Sequence, residues 1–158
     1  MKSYTNEEIM AKAIALAKES ATSGGGPFGC VIVKDGKIIA SASNSVTKDF
    51  DPTAHAEVNA IRSACKKLKT FDLDGCLLYT SCEPCPMCLA ACYWAHIDAI
   101  YYSGNQDDAA TVGFDDRYIY RQIDLKKEKR SILMQRILPE QGMVPFQAWK
   151  ENEDKIHY

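Results

Sequence analysis

The sequence predicts an α/β domain built on a mixed sheet with helices on both faces. Two observations lead there. Strand-like apolar runs alternate with stretches of helical period along the chain. The first two runs, residues 30–33 and 37–41, flank an Asp35-Gly36 pair, a strong hairpin signal, whereas later runs are separated by helical stretches. With 158 residues the chain is long enough for one domain with a real core and too short for two comfortable ones, so residues 1–158 are read as a single domain.

The elements follow in order. Thr5-Asn6-Glu7-Glu8 opens a helix with a capping-type start and early acids, and Ile9, Ala13, Leu16 and Ala17 recur at helical spacing. Gly24-Gly25-Gly26-Pro27 stops it. No Gly-Lys-Ser/Thr follows these glycines, so they are a turn and not a phosphate loop. After the hairpin, Asn44 reads on its own as a turn residue. Asp51-Pro52-Thr53 starts a second helix, with Asp51 or Thr53 as cap, that runs through Val58, Ile61 and Ala64 to about Leu68. A strand over residues 76–80 leads into the helix that opens at Pro86. Residues 98–104 form another strand, residues 105–124 short helical pieces, residues 131–137 a fifth strand, and Phe146 onward a last helix. The basic tract at residues 126–130 reads as a solvated connection, with a phosphate contact as the alternative.

Composition narrows the function classes. A formal net charge of −2 provides no global attraction for nucleic acid or anionic membrane. No apolar run has the length of a membrane span, and the first residues lead into a helix pattern and not a signal peptide. Seven cysteines, an odd number without a secretory signal, argue against a disulfide framework and for reduced thiols in the cytoplasm. Cys30, Cys65, Cys76 and Cys92 lie in apolar patterns and read as small buried residues.

The remaining cysteines are crowded into Ser81-Cys82-Glu83-Pro84-Cys85-Pro86-Met87-Cys88, a density that a core does not require and a metal does. Upstream, Thr53-Ala54-His55-Ala56-Glu57 places a carboxylate two residues after the one histidine set in such a motif. Both motifs fall at helix starts, one of them just after a strand, the usual place for sites in such folds. Helix N-termini favour the thiolate form of cysteine there. Spacing alone allows any pair of Cys82, Cys85 and Cys88 to bind. A structural site using all three with His55 is the alternative, and it leaves Glu57 without a task. A site with three protein ligands keeps one position for water, as hydrolytic zinc sites do.

The two motifs and their spacing resemble the cytidine deaminase superfamily, whose signature has one His, a Glu that is not a ligand, and a Pro-Cys-x-x-Cys pair. A wider set is similar to the bacterial guanine deaminases in particular: Gly26-Pro27-Phe28-Gly29, Asn44, the segment around His55, Tyr79 through Cys88, Tyr93-Trp94-Ala95, Gly113-Phe114-Asp115-Asp116, Pro145-Phe146-Gln147-Ala148-Trp149 and the terminal Tyr158. This resemblance covers essentially the whole chain. It implies a three-layer α/β/α sandwich around a mixed five-stranded sheet. It also implies a homodimer with an exchanged C-terminal segment, in which Tyr158 closes the partner's site. It makes His55, Cys85 and Cys88 the ligands of one Zn2+ per subunit and Glu57 the proton shuttle. It puts Phe28, Asn44, Trp94 and Tyr158 around a small purine base, and gives Asp116, or Asp115 beside it, a second acidic role. The implied reaction is hydrolysis of guanine to xanthine and ammonia in purine metabolism. Ala90 stands where a glycine is common and His96 where an arginine is common. The rivals are a deaminase of guanosine, cytosine or an aminotriazine, a transfer-RNA adenosine deaminase, and a non-catalytic zinc-stabilised interaction module.

Overall fold

The computed structural model describes residues 4–158. They fall into two compact units, one ending at Arg117 and the other Tyr118–Tyr158.

In the first unit, helix α1 (Asn6–Thr22) begins at a capping box. The Glu8 N–H donates to Thr5 Oγ1 at 3.2 Å and the Thr5 N–H to Glu8 Oε2 at 2.9 Å, so two of the free amides of the first turn are satisfied. The buried residues of α1, Ile9, Ala13, Ala17 and Ser20, make one stripe. Strands β1 (Gly29–Lys34) and β2 (Lys37–Ser43) are joined by Asp35 and Gly36 at φ 50° and 72°, the two positive values of a type I′ hairpin turn. Strands β3 (Cys76–Cys82) and β4 (Ala99–Gly104) complete a sheet of order β2-β1-β3-β4, antiparallel except for the parallel β3–β4 pair.

The period of two along β1 creates three layers. Val31 and Val33 face α1, where they cluster with Ile9, Ala13 and Tyr79. Cys30 and Ile32 face the opposite layer, made by helices α3 (Ala56–Leu68) and α4 (Pro86–Trp94). Ala56, Ala60 and Ala64 repeat every fourth residue on α3 and are fully buried, so this helix lies close to the sheet. Between them, the four-residue helix α2 (Val46–Asp49), not expected from the sequence, ends at Phe50 in the left-handed region (φ 51°). The polar stretch after β4 forms short pieces, α5 (Gln106–Thr111) and α6 (Arg117–Asp124).

Three expectations need correction. The helix carrying Glu57 starts at Ala56 with His55 as its N-cap, not Asp51 or Thr53. The Asp51 carboxylate instead accepts from the Thr53 N–H and hydroxyl at 2.8 and 2.7 Å, a local turn that consumes its capping capacity. Cys65 is half-buried, whereas Cys30, Cys76 and Cys92 are buried. The sheet has four strands among the described residues, not five. Among the described residues, 131–137 pair with no strand, and an apolar pattern without a neighbouring strand to share its backbone hydrogen bonds is not itself a strand.

The second unit holds most of α6 and helix α7 (Val144–Glu151), and none of its residues is buried. Within the basic tract, Arg130 donates from Nη2 to the Ile123 carbonyl at 2.9 Å and from Nε to that of Leu125 at 3.2 Å, closing the end of α6. Among the described residues, no helix is long and apolar enough to cross a membrane.

Where α1 crosses β1, Gly29 leaves no room. A Cβ there would lie 2.2 Å from the Ala13 carbonyl oxygen and 2.7 Å from the Ala17 nitrogen, both backbone atoms. Gly29→Ala is expected to destabilise the protein by ~2–3 kcal/mol in urea unfolding. Gly142→Ala, with nothing within 4 Å, should change stability by less than ~0.5 kcal/mol.

Candidate active site

Helices α3 and α4 begin with residues in nearly the same conformation. His55, the N-cap of α3, has φ −70° and ψ 155°; Cys85, the N-cap of α4, has φ −66° and ψ 168°. An N-cap side chain ordinarily accepts a bond from its own helix. Neither does so here. They turn to each other instead, Cys85 Sγ 3.6 Å from His55 Nδ1, with Cys88 Sγ from the first turn of α4 at 3.4 Å from the same nitrogen. Pro86 occupies the first helical turn, where its missing N–H costs nothing.

These distances test the fit of a metal. Zinc bonds of ~2.3 Å to sulfur and ~2.0–2.1 Å to nitrogen at tetrahedral angles put S and N ~3.6 Å apart. The three ligand atoms, one each from His55, Cys85 and Cys88, all lie within 4.8 Å of one another. Protonation fits as well. The Cys85 thiol is pulled down to about 4, first by its interaction with the Cys88 thiol and then by His55 beside it, against the effect of burial. That interaction and burial hold Cys88 high, and the bond to Cys85 raises His55. Cys85 is thereby biased toward the thiolate and His55 toward the imidazolium, and a divalent cation bound by all three displaces the His55 and Cys88 protons.

Glu57 lies in the first turn of α3, 5% exposed, outside the trio. Its Oε1 accepts from the Thr80 hydroxyl at 3.2 Å and its Oε2 from the Cys88 thiol at 3.4 Å. Burial pushes this carboxyl up from its ordinary value. Thr80, fully buried at the end of β3, faces the same side as Leu78 by strand alternation, a signal available in the sequence but not exploited. Cys82 is directed elsewhere. Its thiol donates to the Asn105 carbonyl at 3.6 Å, and burial pushes it up to about 11.

The residues expected to meet a base have different surroundings. The Asn44 Oδ1 accepts from the Gly26 N–H at 3.3 Å and the Val46 N–H at 3.2 Å, which occupies both of its acceptor positions and leaves Nδ2 as the group to offer. Phe28 meets Phe114 edge to face, centroids 5.0 Å apart. Phe114 is a contact to which sequence reasoning gave no role. Asp116 and Asp115 differ sharply. Arg117 holds the Asp115 carboxylate from Nε at 2.7 Å and from Nη2 at 3.0 Å. The Asp116 Oδ1 is buried without a hydrogen-bond partner, and burial, then the charge of Cys85, raises its carboxyl. Trp94 is the last residue of α4, with a largely exposed ring. Tyr158 belongs to the second unit and is exposed. At the positions that depart from the resembling family, Ala90 is exposed, and His96 Nδ1 lies 3.1 Å from the Asp72 carboxylate just past α4.

A His-Cys-Cys trio at two helix starts, with a buried carboxylate beside it and outside it, is a hydrolytic metal centre in form. The chain belongs to the family defined by the cytidine and deoxycytidylate deaminase zinc-binding region, which its residues 3–104 match. Among its relatives, it is similar to the guanine deaminase of Bacillus subtilis (strain 168), 52% identical over 154 residues, 97% of this chain and 99% of that one. An X-ray structure of guanine deaminase from Bacillus subtilis superposes with a TM-score of 0.95 at 51% identity, over 98% of this chain and 99% of the other. A tRNA-specific adenosine deaminase of Aquifex aeolicus (strain VF5) is 44% identical over 61% of this chain and 64% of its own. The centre is a zinc site.

Purified Cys85→Ala and Cys88→Ala are each expected to lose most of their zinc by elemental analysis. Cys82→Ala should retain it. Stoichiometric zinc in Cys85→Ala would show that another donor set holds the ion.

Proposed function

We propose that residues 1–158 form one deaminase domain that hydrolyses guanine to xanthine and ammonia. The observation that carries this reading is the similarity to Bacillus subtilis guanine deaminase, which extends through the whole chain, whereas the tRNA-specific relative matches only 61% of it. A transfer-RNA substrate would also call for a basic face. The net charge is −2, and Arg130 of the basic tract is engaged with its own helix end.

A zinc ion held by His55, Cys85 and Cys88 would supply an open coordination position where water is acidified at neutral pH. The rest falls to the protein. Glu57 takes a proton from the attacking water as the oxygen bonds to the ring carbon that bears the exocyclic amine, and delivers it to the adjacent ring nitrogen. The second water proton then goes to the amine, the carbon–nitrogen bond breaks, and ammonia leaves. Each transfer returns the carboxylate to the opposite state, so one group can serve in sequence. Burial, which raises its pKa, suits Glu57 to hold a proton between steps. Thr80 holds Oε1 in place, and the donor on Oε2 is withdrawn once Cys88 is a thiolate. Asp116, whose carboxyl burial raises, orients the departing amine in this reading.

Selectivity rests on Asn44. With Oδ1 occupied by two backbone amides, only its Nδ2 donor remains, which suits an acceptor such as the guanine carbonyl oxygen. Phe28 and Trp94 are the flat surfaces available to flank the ring.

The active form in this reading is a homodimer with exchanged C-terminal segments. Three features support it. No residue of Tyr118–Tyr158 is buried, although Ile132, Leu133 and Ile137 are 77–79% exposed. Ile119, Ile123, Ile132 and Met134 line an open apolar groove. In the first unit, β4 is an edge strand with one side unpaired, and residues 131–137 have a strand pattern without a strand partner. A second copy satisfies all three at once. All seven cysteines are free, consistent with a reducing, cytoplasmic location.

Ammonia release across guanine, guanosine, adenine, cytosine, an aminotriazine and transfer RNA tests the substrate. Guanine should be turned over best, and zinc-loaded Glu57→Gln should lose ~10²–10⁴-fold. Comparable turnover of cytosine would reject the assignment. For the exchange, a Glu57→Gln protein with an intact tail is unfolded and refolded together with a protein of normal body lacking its last residues. Each alone should be nearly inactive, and mixed dimers should regain activity, because one site then holds Glu57 and Tyr158 together. Verified mixed dimers without activity would rule the exchange out.

A further inference from the structure

Arg117 makes three side-chain contacts that the deamination chemistry does not use. Its guanidinium grips Asp115 through two nitrogens and reaches back to α5, where Nη1 meets Asp107 Oδ1 at 2.8 Å. Its own N–H also donates to Asp115 Oδ1 at 3.2 Å. Asp116 lies between the two residues so joined. Its Oδ1 is the buried oxygen without a hydrogen-bond partner. No hydrogen bond holds that oxygen, so its position depends on the backbone that carries it.

The backbone ahead of this stretch is tied to the metal loop. The Cys82 thiol donates to the Asn105 carbonyl at 3.6 Å, and Glu83 Oε2 accepts from the Gln106 N–H at 3.2 Å, so α5 begins against the residues that precede Cys85. Asn105 and Asp108 cap one another there, in a reciprocal pair at 2.9 Å each. From α5 the chain turns at Gly113, φ 95°, and presents Phe114 to Phe28. Arg117 then fastens the far end of the turn to Asp107 on α5.

We propose that Arg117 is a positioning residue for the reaction: its clamp on Asp107 and Asp115 holds the Asp116 carboxyl in place over the zinc site. This rests on the reading of Asp116 as the second acid. A single exposed ion pair fixes little, but a planar guanidinium bound by two carboxylates in fork geometry sets both distance and direction. The bland alternative is that Arg117 and Asp115 only start α6. It predicts a loss of folding stability with no special link to Asp116.

The test is a double-mutant cycle on the zinc-loaded enzyme, with kcat, KM, zinc content and melting temperature measured for wild type, Arg117→Ala, Asp116→Asn and the double variant. Misplacing a reacting group by about 1 Å can cost ~10²-fold, so Arg117→Ala should lower kcat by ~10–100-fold and KM by less than ~3-fold either way. In the Asp116→Asn background the same change should cost less than ~3-fold, because the group it positions is already disabled. An unchanged kcat in Arg117→Ala overturns the clamp, as does a full additional loss in the Asp116→Asn background. If Asp116→Asn itself keeps wild-type kcat, the reading of Asp116 fails first and the clamp falls with it. Should Arg117→Ala fold poorly, Asp107→Asn releases only the α5 end. It should lower kcat several-fold, again only when Asp116 is present, and equal losses in both backgrounds overturn the proposal.

Discussion

Two helices begin at the same point, and the first unit is built to keep them there. His55 and Cys85 are both N-caps, and both give up the capping bond that such a residue normally makes. Each helix start is left with unsatisfied amides and a partial positive end. That deficit is useful only if something anionic stands between the two ends. A thiolate-rich metal site does so, and Cys85, lowered first by Cys88 and then by His55, is ready to enter it as a thiolate. The alanine stripe of α3 and the strand β3 that feeds α4 set where the helix ends meet, because both are fixed against the same sheet.

The carboxylates near this centre are separated by what they touch. Glu57 is buried against Thr80 and Cys88, Asp115 is consumed by Arg117, and Asp116 keeps a buried oxygen free. Three acids within one small region thus have three electrostatic fates. Asn44 shows the same principle for an amide: two backbone donors decide which of its ends is left for a ligand.

Much of this was legible in the sequence because it rests on local chemistry. The capping box at Thr5, the Asp35-Gly36 turn and the alternation of β1 are all decided within a few residues. The metal motifs were legible too, because cysteines, histidine and a carboxylate at those spacings have few other uses. What was not legible depends on partners distant in sequence. Asp51 and Thr53 read as caps until their mutual hydrogen bonds are seen. Spacing could not choose among Cys82, Cys85 and Cys88, and only the carbonyl of Asn105 shows where Cys82 points. Residues 131–137 have the composition of a strand, but a strand is a property of a pair. Phe114 and Arg117 carry no motif-level signature of their contacts, since each acts through a neighbour brought near by the turn at Gly113.

The bare apolar surface of Tyr118–Tyr158 bears on how the protein must be handled as it is made. Ile132, Leu133 and Met134 run consecutively, uncharged and exposed, in a stretch with strand composition. A lone chain displaying such a run is open to indiscriminate edge pairing until something covers it. The flanking Lys129, Arg130 and Arg136 are the charged gatekeepers that slow such pairing. Dilution and modest ionic strength during refolding would favour orderly pairing over precipitation, since both preserve the mutual repulsion of those cations while the apolar run is still uncovered.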